Sequence, residues 1–312
     1  MRVLVAGATG VIGRPLVKAL REEGHEVVGT TRSPERANGL RELGVTPAVL
    51  DARDTAALRS AVIEAEPEVV INQLTNLPDK MNFRRAEETF GATNELRGTV
   101  GPALAGAAAD AGARRLIAQS VCFFYASTGK RSHGEDDPLL ELPPDEPAGQ
   151  GLVALQSLER SAVETPALEG VVLRYGYFYG SEVAMVPGGF DVDDVRRRRA
   201  PIVGKGTGIF SLVHVDDAAA ATIASLDRGA GIYNVCDDEP APQADWLPAY
   251  ADAIGAKPPR RVPLWLAKLA AGKQAAVLAT RLEGASNEKA KRELGWQPKY
   301  PSWRQGFREA LG

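Results

Sequence analysis

One segment near the N-terminus has the residue types and spacing of a phosphate-binding turn. It reads Gly7-Ala8-Thr9-Gly10-Val11-Ile12-Gly13 and fits the pattern G-x-x-G-x-x-G. The residues before it, 2–6, are typical of a β-strand, and residues 11–23 are typical of a helix. Glycines let the backbone approach a pyrophosphate, and the N-terminus of a helix offers free N–H groups and a positive dipole end. The segment therefore predicts a dinucleotide site; the other interpretation is a tight glycine turn without a ligand.

The residue about 20 positions further along indicates which dinucleotide binds. An acidic residue there would hydrogen-bond the adenosine ribose and favour NAD. The sequence instead has Arg32, with Arg36 one turn into the next predicted helix. A guanidinium can hold a 2′-phosphate through two hydrogen bonds, so the sequence predicts that NADP(H) is preferred over NAD(H). The alternative is that Arg32 is a solvated charge at the end of a strand.

Residues that bind metals are few. The chain has three histidines and two cysteines, with no H-x-x-x-H or C-x-x-C spacing, so no metal site is expected. His133, near Glu135 in a polar loop, is expected to be a solvated residue, although an exposed histidine titrates near neutrality. His214 is expected to have a structural role, at a strand end followed by a helix N-cap.

Composition excludes several classes of protein. The 312 residues suffice for one large domain or two modest ones. With 37 basic and 40 acidic residues the net charge is −3, so no global positive field exists to hold nucleic acid or an anionic membrane. The longest uncharged stretch, residues 116–129, is too short for a membrane span. Two cysteines suit a reducing cytoplasm, and the cytoplasm is the expected location.

One dense positive patch breaks this balance, at residues 196–199, which are four consecutive arginines. The patch could contact a phosphate or carboxylate of a substrate. The solvated end of a helix is the favoured interpretation.

The order of predicted elements alternates between strand and helix. Strands are predicted at 2–6, 25–30, 48–50, 68–72, 115–119, 171–175 and 232–236, and helices at 11–23, 54–65, 83–111, 149–164 and 216–227. Ser33, Pro34 and Glu35 form a helix start, and Asp54 is a predicted N-cap. Irregular structure is predicted at 187–189. The alternation is typical of βαβ units and predicts an α/β fold with a doubly wound parallel sheet, known as the Rossmann fold.

Further motifs resemble those of the short-chain dehydrogenase/reductase superfamily, and most closely its extended branch, the NAD-dependent epimerase/dehydratase family. They are the segments 51–54 (DARD), 69–74 (VVINQL), 93–94 with 98–99 (TN, GT), 173–176 (LRYG), 179–180 (YG), 210–217 (FSLVHVDD) and 233–235 (YNV). The resemblance, together with the glycine turn and the strand-end arginine, implies cofactor contacts from Gly7, Thr9, Gly10, Val11, Ile12, Gly13, Arg32, Asp51, Ala52, Gln73, Leu74, Asn94 and Tyr175.

The chain departs from that family at the positions that move a proton. In the family a Ser or Thr acts with a Tyr that precedes a Lys by four residues on a helix. Aligned on Glu159, the Tyr and Lys positions fall on Gly151 and Leu155, and no Y-x-x-x-K occurs in the chain. The usual hydroxyl position falls on Val121, with Ser120 one residue earlier. The motifs that bind the cofactor in the family are present in this chain, and the tyrosine and lysine that act as acid and base are absent.

Other hydroxyl groups are the candidates to replace that acid. Ser120 and Tyr125 belong to the segment that lines the cleft in the family, and they are the predicted catalytic residues. For Tyr125 the alternative is a packed aromatic side chain. Tyr175, Tyr177 and Tyr179 follow the next strand and are expected near the nicotinamide.

The predicted organisation has two parts. Residues 1–175, completed by 213–237, form the dinucleotide-binding domain, and residues 176–212 and 238–312 form a smaller lobe for a small-molecule substrate. The predicted function is an NADP(H)-dependent oxidoreductase acting on a small carbonyl or unsaturated substrate. The alternatives are a redox-neutral nucleotide-sugar-type epimerase or dehydratase and a non-catalytic, NmrA-like NADP sensor. The resemblance also implies a homodimer formed through helices at 85–110 and 149–165.

Overall fold

A seven-stranded parallel sheet forms the centre of the chain. The computed structural model describes residues 1–78, 81–180, 183, 185–187 and 190–311; Gly188 and Gly189, part of the predicted irregular segment, lie outside them. The strands of the sheet are β1 (Arg2–Ala6), β2 (Glu26–Thr31), β3 (Thr46–Val49), β4 (Val69–Asn72), β5 (Arg115–Val121), β7 (Glu169–Tyr175) and β14 (Gly231–Val235). Their spatial order is β14-β7-β5-β4-β1-β2-β3, and every neighbouring pair is parallel.

Shorter strands lie outside the seven-stranded sheet, most of them in the second half of the chain, and pair with one another. They are β6 (Ser132–His133), β8 (Tyr177–Tyr179), β9 (Met185–Val186), β10 (Phe190–Asp191), β11 (Ile202–Val203), β12 (Ile209–Phe210), β13 (Leu212–His214), β15 (Ala241–Pro242), β16 (Arg261–Val262) and β17 (Gly284–Ala285).

Helices cover both faces of the sheet and build the remainder. They are α1 (Gly13–Glu22), α2 (Pro34–Glu42), α3 (Thr55–Ala65), α4 (Ala86–Glu95), α5 (Gly101–Asp110), α6 (Pro147–Glu164), α7 (Val192–Arg196), α8 (Val215–Ala224), α9 (Gln243–Ala253), α10 (Leu264–Arg281, kinked at Gly272), α11 (Glu288–Leu294) and α12 (Trp303–Ala310). On one face α1, α8 and α11 pack on the sheet. On the other face the packing helices are α3, α5 and α6. This doubly wound arrangement confirms the predicted fold class.

Local sequence signals account for the helix starts. The Ser33 hydroxyl accepts a hydrogen bond from the Arg36 amide at 3.1 Å, and Pro34 occupies the first turn of α2. The Asp54 carboxylate accepts one from the Ala57 amide at 3.0 Å and caps α3. Both caps satisfy N–H groups that have no partner within the helix, and both predicted caps are confirmed.

The long helix predicted at 83–111 is wrong in one respect, because it is not continuous α-helix. A 3₁₀ turn (Phe83–Arg85) leads into α4, and a π-helix (Leu96–Val100) separates α4 from α5. Pro102 lies in the first turn of α5 and has no N–H to bond the carbonyl four residues earlier. That carbonyl, of Gly98, accepts a hydrogen bond from the Ser157 hydroxyl at 3.4 Å instead.

A third apolar core lies beyond the sheet. Its largest buried side chains are Tyr179, Phe210, Trp246, Tyr250, Trp303 and Phe307. In contrast, Leu294 and Trp296 belong to the apolar core on the face of the sheet that α1 and α8 cover. The division into residues 1–175 with 213–237 and residues 176–212 with 238–312 stays a prediction.

The structure also bears on membranes. Within the described residues, none of the helices has the length and apolar composition that a membrane crossing requires.

Candidate functional site

Several of the predicted cofactor residues lie at the carboxyl edge of the sheet. The strand order reverses between β1 and β4, since β1 leads outward to β2 and β4 leads outward to β5. In open parallel sheets the crevice at such a reversal is where ligands bind. The glycine turn follows β1, Arg32 follows β2 and Gln73 follows β4.

The glycine turn is packed too closely for side chains at two positions. Gly7 has φ +89°, and a Cβ atom there would lie 2.7 Å from the Gln73 carbonyl oxygen. A Cβ on Gly13 would lie 2.2 Å from the Gly7 carbonyl oxygen. Gly10 is more open, with 3.3 Å between its Cβ position and the same oxygen. Gly7 and Gly13 are therefore required by the turn itself, whereas Gly10 faces outward and is exposed.

The start of α1 fits a dinucleotide phosphate. Its N-cap, Ile12, has no polar side-chain atom, and the first turn contains no acidic residue. The N–H groups and the positive dipole end there are thus not neutralised by a carboxylate of α1. The Gln73 side-chain oxygen Oε1 is buried and lacks a hydrogen-bond partner among the described residues. A nicotinamide dinucleotide in this crevice would be held by the turn, and when bound it supplies or accepts a hydride.

Positive charge and hydroxyls surround the expected adenosine position. Arg32 is exposed at the end of β2, and its Nη2 lies 3.3 Å from the Asn76 Oδ1. Asp51 accepts hydrogen bonds from Arg53, which lower the pKa of its carboxyl to about 2, with a smaller contribution from the Arg32 charge. The Thr9 and Thr31 hydroxyls are 3.3 Å apart. Arg32 therefore lies beside Asp51, but no carboxylate is paired with its guanidinium among the described residues.

Two predicted contacts lie deeper than expected. Tyr175 is fully buried, and its hydroxyl bonds Gln73 Nε2 at 3.3 Å and Thr222 Oγ1 at 2.7 Å. Burial raises the pKa of Tyr175 to about 12. Ala52 is also buried, in the core beneath α3. Tyr175 can influence a ligand through Gln73, whereas its own ring has no exposed surface to offer.

The Ser120 hydroxyl belongs to a buried ion pair. Side chains alternate along β5 and β7, so Ser120 and Arg174, which are paired in register, both face α6. There the Glu159 carboxylate accepts bonds from Ser120 Oγ at 2.5 Å, Arg174 Nε at 2.8 Å and Arg174 Nη2 at 2.7 Å. All three residues are buried. In this geometry the Ser120 hydroxyl donates a hydrogen bond to the Glu159 carboxylate.

The Tyr125 hydroxyl extends the same network. It donates to Asn234 Oδ1 at 2.8 Å and accepts from Arg174 Nη1 at 3.0 Å. Tyr125 is buried, and burial raises the pKa of its hydroxyl well above the usual value. Both predicted catalytic hydroxyls thus stabilise the network around Arg174, so this geometry favours a supporting role for Ser120 and Tyr125.

The helix that carries Tyr and Lys in the family has no proton-transfer group here. A Cβ atom on Gly151 would lie 3.6 Å from the Asn94 Oδ1. Leu155, one turn later, is 1% exposed and apolar. Asn94, a predicted cofactor contact, is half-buried and lies next to Gly151, on the side where a side chain at that position would begin.

Aromatic side chains follow β5 and β7 at the same edge of the sheet. Phe123 and Tyr177 stack with ring centroids 4.4 Å apart, and Phe124 lies 5.6 Å from Phe123. These three residues are half-buried. The Tyr177 hydroxyl makes no hydrogen bond to any described residue, and burial raises its pKa well above the usual value. This aromatic wall can pack against a planar ring.

The expectation of a solvated His133 is wrong. Its ring is completely buried between two carboxylates, Asp137 at 3.1 Å from Nδ1 and Glu283 at 2.7 Å from Nε2. It also stacks on Tyr125, with ring centroids 5.1 Å apart. Pairing of β6 with β17 brings the Glu283 segment over the loop, a contact that adjacent sequence could not indicate.

The structure agrees with two further expectations, which concern His214 and the arginine run. His214 caps α8 by accepting a hydrogen bond from the Asp216 amide at 3.2 Å, which confirms its structural role. Arg196 and Arg197 are exposed and lie near Asp193 at the end of α7, which supports the solvated-end interpretation of the arginine run. Among the described residues, no group of His, Cys, Asp and Glu side chains has the arrangement of a metal site.

Two residues with a place at the site were missed or undervalued by sequence reasoning. Arg97 lies three residues after Asn94 on the helix beside α6, and that spacing on one helix face was an available signal. Tyr177 was recognised only as one of three tyrosines. The position of Tyr177 at the edge of the sheet depends on β8, a short strand that pairs with β13. The sequence of β8 has no pattern that would predict this pairing.

The fold and the crevice define a nicotinamide-dinucleotide-binding protein. Residues 3–236 match the NAD dependent epimerase/dehydratase family. The chain belongs to this family, which confirms the resemblance noted in the sequence. As a member it is an NAD(P)-dependent enzyme, an oxidoreductase or an epimerase.

Individual relatives agree with this assignment. The chain is 44% identical to a 3-diazoavenalumate denitrifying reductase of a Streptomyces species, over 98% of this chain and 99% of that protein. Its fold is similar to that of the UDP-glucose 4-epimerase of Thermotoga maritima, solved with UDP-glucose (TM-score 0.78, 20% identity, 100% of this chain and 97% of that one). It is also similar to a human epimerase family protein solved with NADPH (TM-score 0.75, 19% identity, 100% and 99% coverage).

The buried ion pair makes the first prediction possible. Arg174→Met leaves the Glu159 carboxylate buried without its cation, and removal of one partner of such a pair costs about 3–5 kcal/mol. We expect urea unfolding to show a loss of this size. The control is Arg53→Met, which removes an exposed partner of Asp51 and should have little effect because surface ion pairs contribute little. Equal losses in the two variants would contradict the structural role of the Glu159–Arg174 pair.

Proposed function

We propose that the protein is an NADP(H)-dependent reductase that transfers hydride to the diazo group of an aromatic substrate, which then loses N₂. The observation that carries this proposal is the missing proton relay. Gly151 and Leu155 stand where the family has Tyr and Lys, and the Ser120 and Tyr125 hydroxyls are engaged in the buried network.

Without a tyrosine–lysine pair to deliver a proton, some hydride acceptors suit the site better than others. Hydride addition to a carbonyl generates an alkoxide, which needs a proton donor, and losing such a donor costs a factor of about 10²–10⁴ in rate. Hydride addition to an arene diazonium cation neutralises a positive charge and generates no oxyanion. A site without a tyrosine–lysine pair therefore suits the diazonium acceptor better than the carbonyl.

The 44% identical relative supports the same chemistry. Its name states that it reduces a diazo compound with loss of nitrogen. The alignment spans nearly the full length of both proteins, so the crevice, α6 and the aromatic wall are all included. We extend to this chain the class of acceptor, an aromatic diazo compound.

The reaction balances without a proton from the protein. Hydride adds to the terminal nitrogen of Ar–N≡N⁺ and gives Ar–N=NH, while the nicotinamide becomes oxidised. The N–H proton then moves to the ring carbon as the C–N bond breaks, which gives Ar–H and N₂. One cofactor molecule is consumed for each N₂ released.

The chain's own residues bind, orient and exclude water. The glycine turn and α1 hold the dinucleotide, and Phe123 with Tyr177 offer a wall for the substrate ring. Leu155 puts an apolar side chain at the position where the family has its lysine, and exclusion of water protects a reactive diazonium group from hydrolysis. Orientation of two bound reactants alone can supply about 7–11 kcal/mol of the barrier reduction.

Carbonyl reduction is the second candidate, and Tyr177 is the observation that favours it. Its hydroxyl has no hydrogen-bond partner among the described residues, and the raised pKa makes it a donor rather than a base at neutral pH. In that case Tyr177 replaces the family's tyrosine. Tyr177→Phe should then abolish most of the turnover of a carbonyl substrate, while reduction of a diazonium substrate should continue.

We also propose that the enzyme works as a homodimer in the cytoplasm. The helices α5 and α6 pack on one face of the sheet and α4 packs against α6, and Val153 on α6 is 48% exposed, as expected of an apolar position at a contact between copies. Both cysteines are free and buried, which suits a reducing compartment. Light scattering should give twice the monomer mass at micromolar concentration, and Val153→Asp should lower it. A monomeric wild type would contradict the dimer.

The preference for NADP(H) is predicted to depend on Arg32. Arg32→Ala removes a charge-assisted hydrogen bond to the 2′-phosphate, which contributes about 1.5–3 kcal/mol, so NADPH affinity should fall by about 10–150-fold. NADH affinity should not change. Arg41→Ala, which removes an exposed arginine bound to Asn38, is the matched control. Titration by tryptophan fluorescence checks this, and equal NADPH and NADH affinities in the wild type would refute the preference.

Turnover tests the reaction itself. With 4-carboxybenzenediazonium and NADPH, we expect equimolar formation of NADP⁺, N₂ and benzoate. Gly10→Val, which fills the phosphate space at the most open glycine of the turn, should reduce the rate to that of the solution without enzyme. Tyr177→Phe should retain the diazonium activity. NADPH consumption with a carbonyl panel but not with diazonium compounds would instead establish the second candidate.

A further inference from the structure

A positively charged side chain lies beside the two family positions that lack their functional groups. Arg97 is in the π-helix Leu96–Val100, which interrupts the helix packed on α6. Asn94 faces the Gly151 side of α6, and a Cβ on Gly98 would lie 3.5 Å from the Ala154 Cβ. The Arg97 guanidinium is close enough to Glu159 to feel its charge. Arg97 therefore belongs to the helical segment that packs on α6 near Gly151 and Ala154.

The Arg97 charge has no partner in the protein. It makes no hydrogen bond or ion pair with any residue in the described part of the chain, and its side chain is half-buried. Burial lowers the pKa of Arg97 to about 10, and the Glu159 carboxylate opposes that change. Glu159 itself is fully engaged by Arg174 and Ser120. Two guanidinium groups, those of Arg174 and Arg97, thus accompany one carboxylate, that of Glu159. The carboxylate binds only Arg174.

Such an arrangement is costly unless a ligand completes it. A partly buried cation without a partner loses hydration and gains no ion pair in return. A guanidinium presents two parallel N–H groups that match a carboxylate. π-helical turns are uncommon and often occur at functional sites, and this one carries Arg97 in the segment that packs on α6.

We propose that Arg97 binds the carboxylate of an aromatic acid and so fixes the position of the substrate against the nicotinamide. This inference rests on the proposed reductase function and names its substrate class, an aromatic diazo compound that carries a carboxylate. The like charges of Arg97 and a diazonium group repel each other. The carboxylate end of the substrate is therefore directed to α6 and the diazo end away from it, toward the glycine-turn side of the crevice.

The cofactor is the other source of an oxyanion, and its phosphates are expected at other elements of the fold. The pyrophosphate position lies at the glycine turn after β1, and Arg32 lies after β2. Arg97 lies in the segment that joins β4 to β5 in the chain and packs on α6. The same guanidinium is thus expected to serve substrate binding without contributing to dinucleotide affinity.

The test measures binding of unreactive ligands to the protein loaded with NADP⁺. Calorimetry with benzoate and cinnamate, each beside its amide, should show that the wild type binds the carboxylates at least about tenfold more tightly, which corresponds to about 1.4 kcal/mol. Arg97→Met should abolish this discrimination, and Arg97→Lys should restore part of it. Arg97→Met should keep or raise the melting temperature, because no partner is lost, and should leave the NADP⁺ affinity unchanged.

Three results would overturn the inference: equal binding of carboxylates and amides by the wild type, no binding of any arene carboxylate, or weakened NADP⁺ binding in Arg97→Met. Turnover separates this inference from the proposed function. If the wild type reduces 4-carboxy- and 4-carbamoylbenzenediazonium equally well, the reductase stands and the role of Arg97 fails. If it reduces neither, while carboxylate binding depends on Arg97, the carboxylate site stands and the diazo chemistry fails.

Discussion

The buried ion pair between Glu159 and Arg174 is the interaction on which the rest of the site depends. It joins α6 to β7 and, through Ser120, to β5. Through Tyr125 and Asn234 it also reaches β14. A buried carboxylate and guanidinium tolerate little displacement, because each leaves the other unpaired if it moves. The register of α6 over the sheet, and therefore the position of Gly151 and Leu155, is fixed by this pair.

That constraint has a chemical consequence. The hydroxyl groups of Ser120 and Tyr125 are used to stabilise the pair, and the family's Tyr and Lys positions on α6 are occupied by Gly151 and Leu155. The dinucleotide half of the site keeps its turn, its helix N-terminus and its strand-end arginine. The combination favours reactions in which a hydride moves and the protein transfers no proton, and a cationic acceptor such as a diazonium group meets that condition.

Much of the fold and of the cofactor crevice could be predicted from the sequence, since both depend on local signals. The turn requires Gly7 and Gly13, and the caps at Ser33 and Asp54 start their helices where predicted. Side-chain contacts between distant segments could not be predicted in the same way. His133 is buried because Glu283, far along the chain, comes to its ring, and the engagement of Ser120 and Tyr125 requires the register of β5 against β7 and β14. The π-helix that carries Arg97 follows from Pro102 and from the packing of Gly98 on α6, which hydrophobic periodicity does not reveal.

The isotope dependence of a single turnover tests the central claim, that hydride transfer proceeds without a proton from the protein. NADPH oxidation by the enzyme loaded with an arene diazonium substrate is followed in H₂O and in D₂O, with NADPH and with NADPH deuterated at C4. The account predicts a clear slowing by the C4 deuterium and no slowing by the deuterated solvent. A solvent isotope effect that is expressed together with the C4 effect would show a proton in flight during hydride transfer and would contradict it.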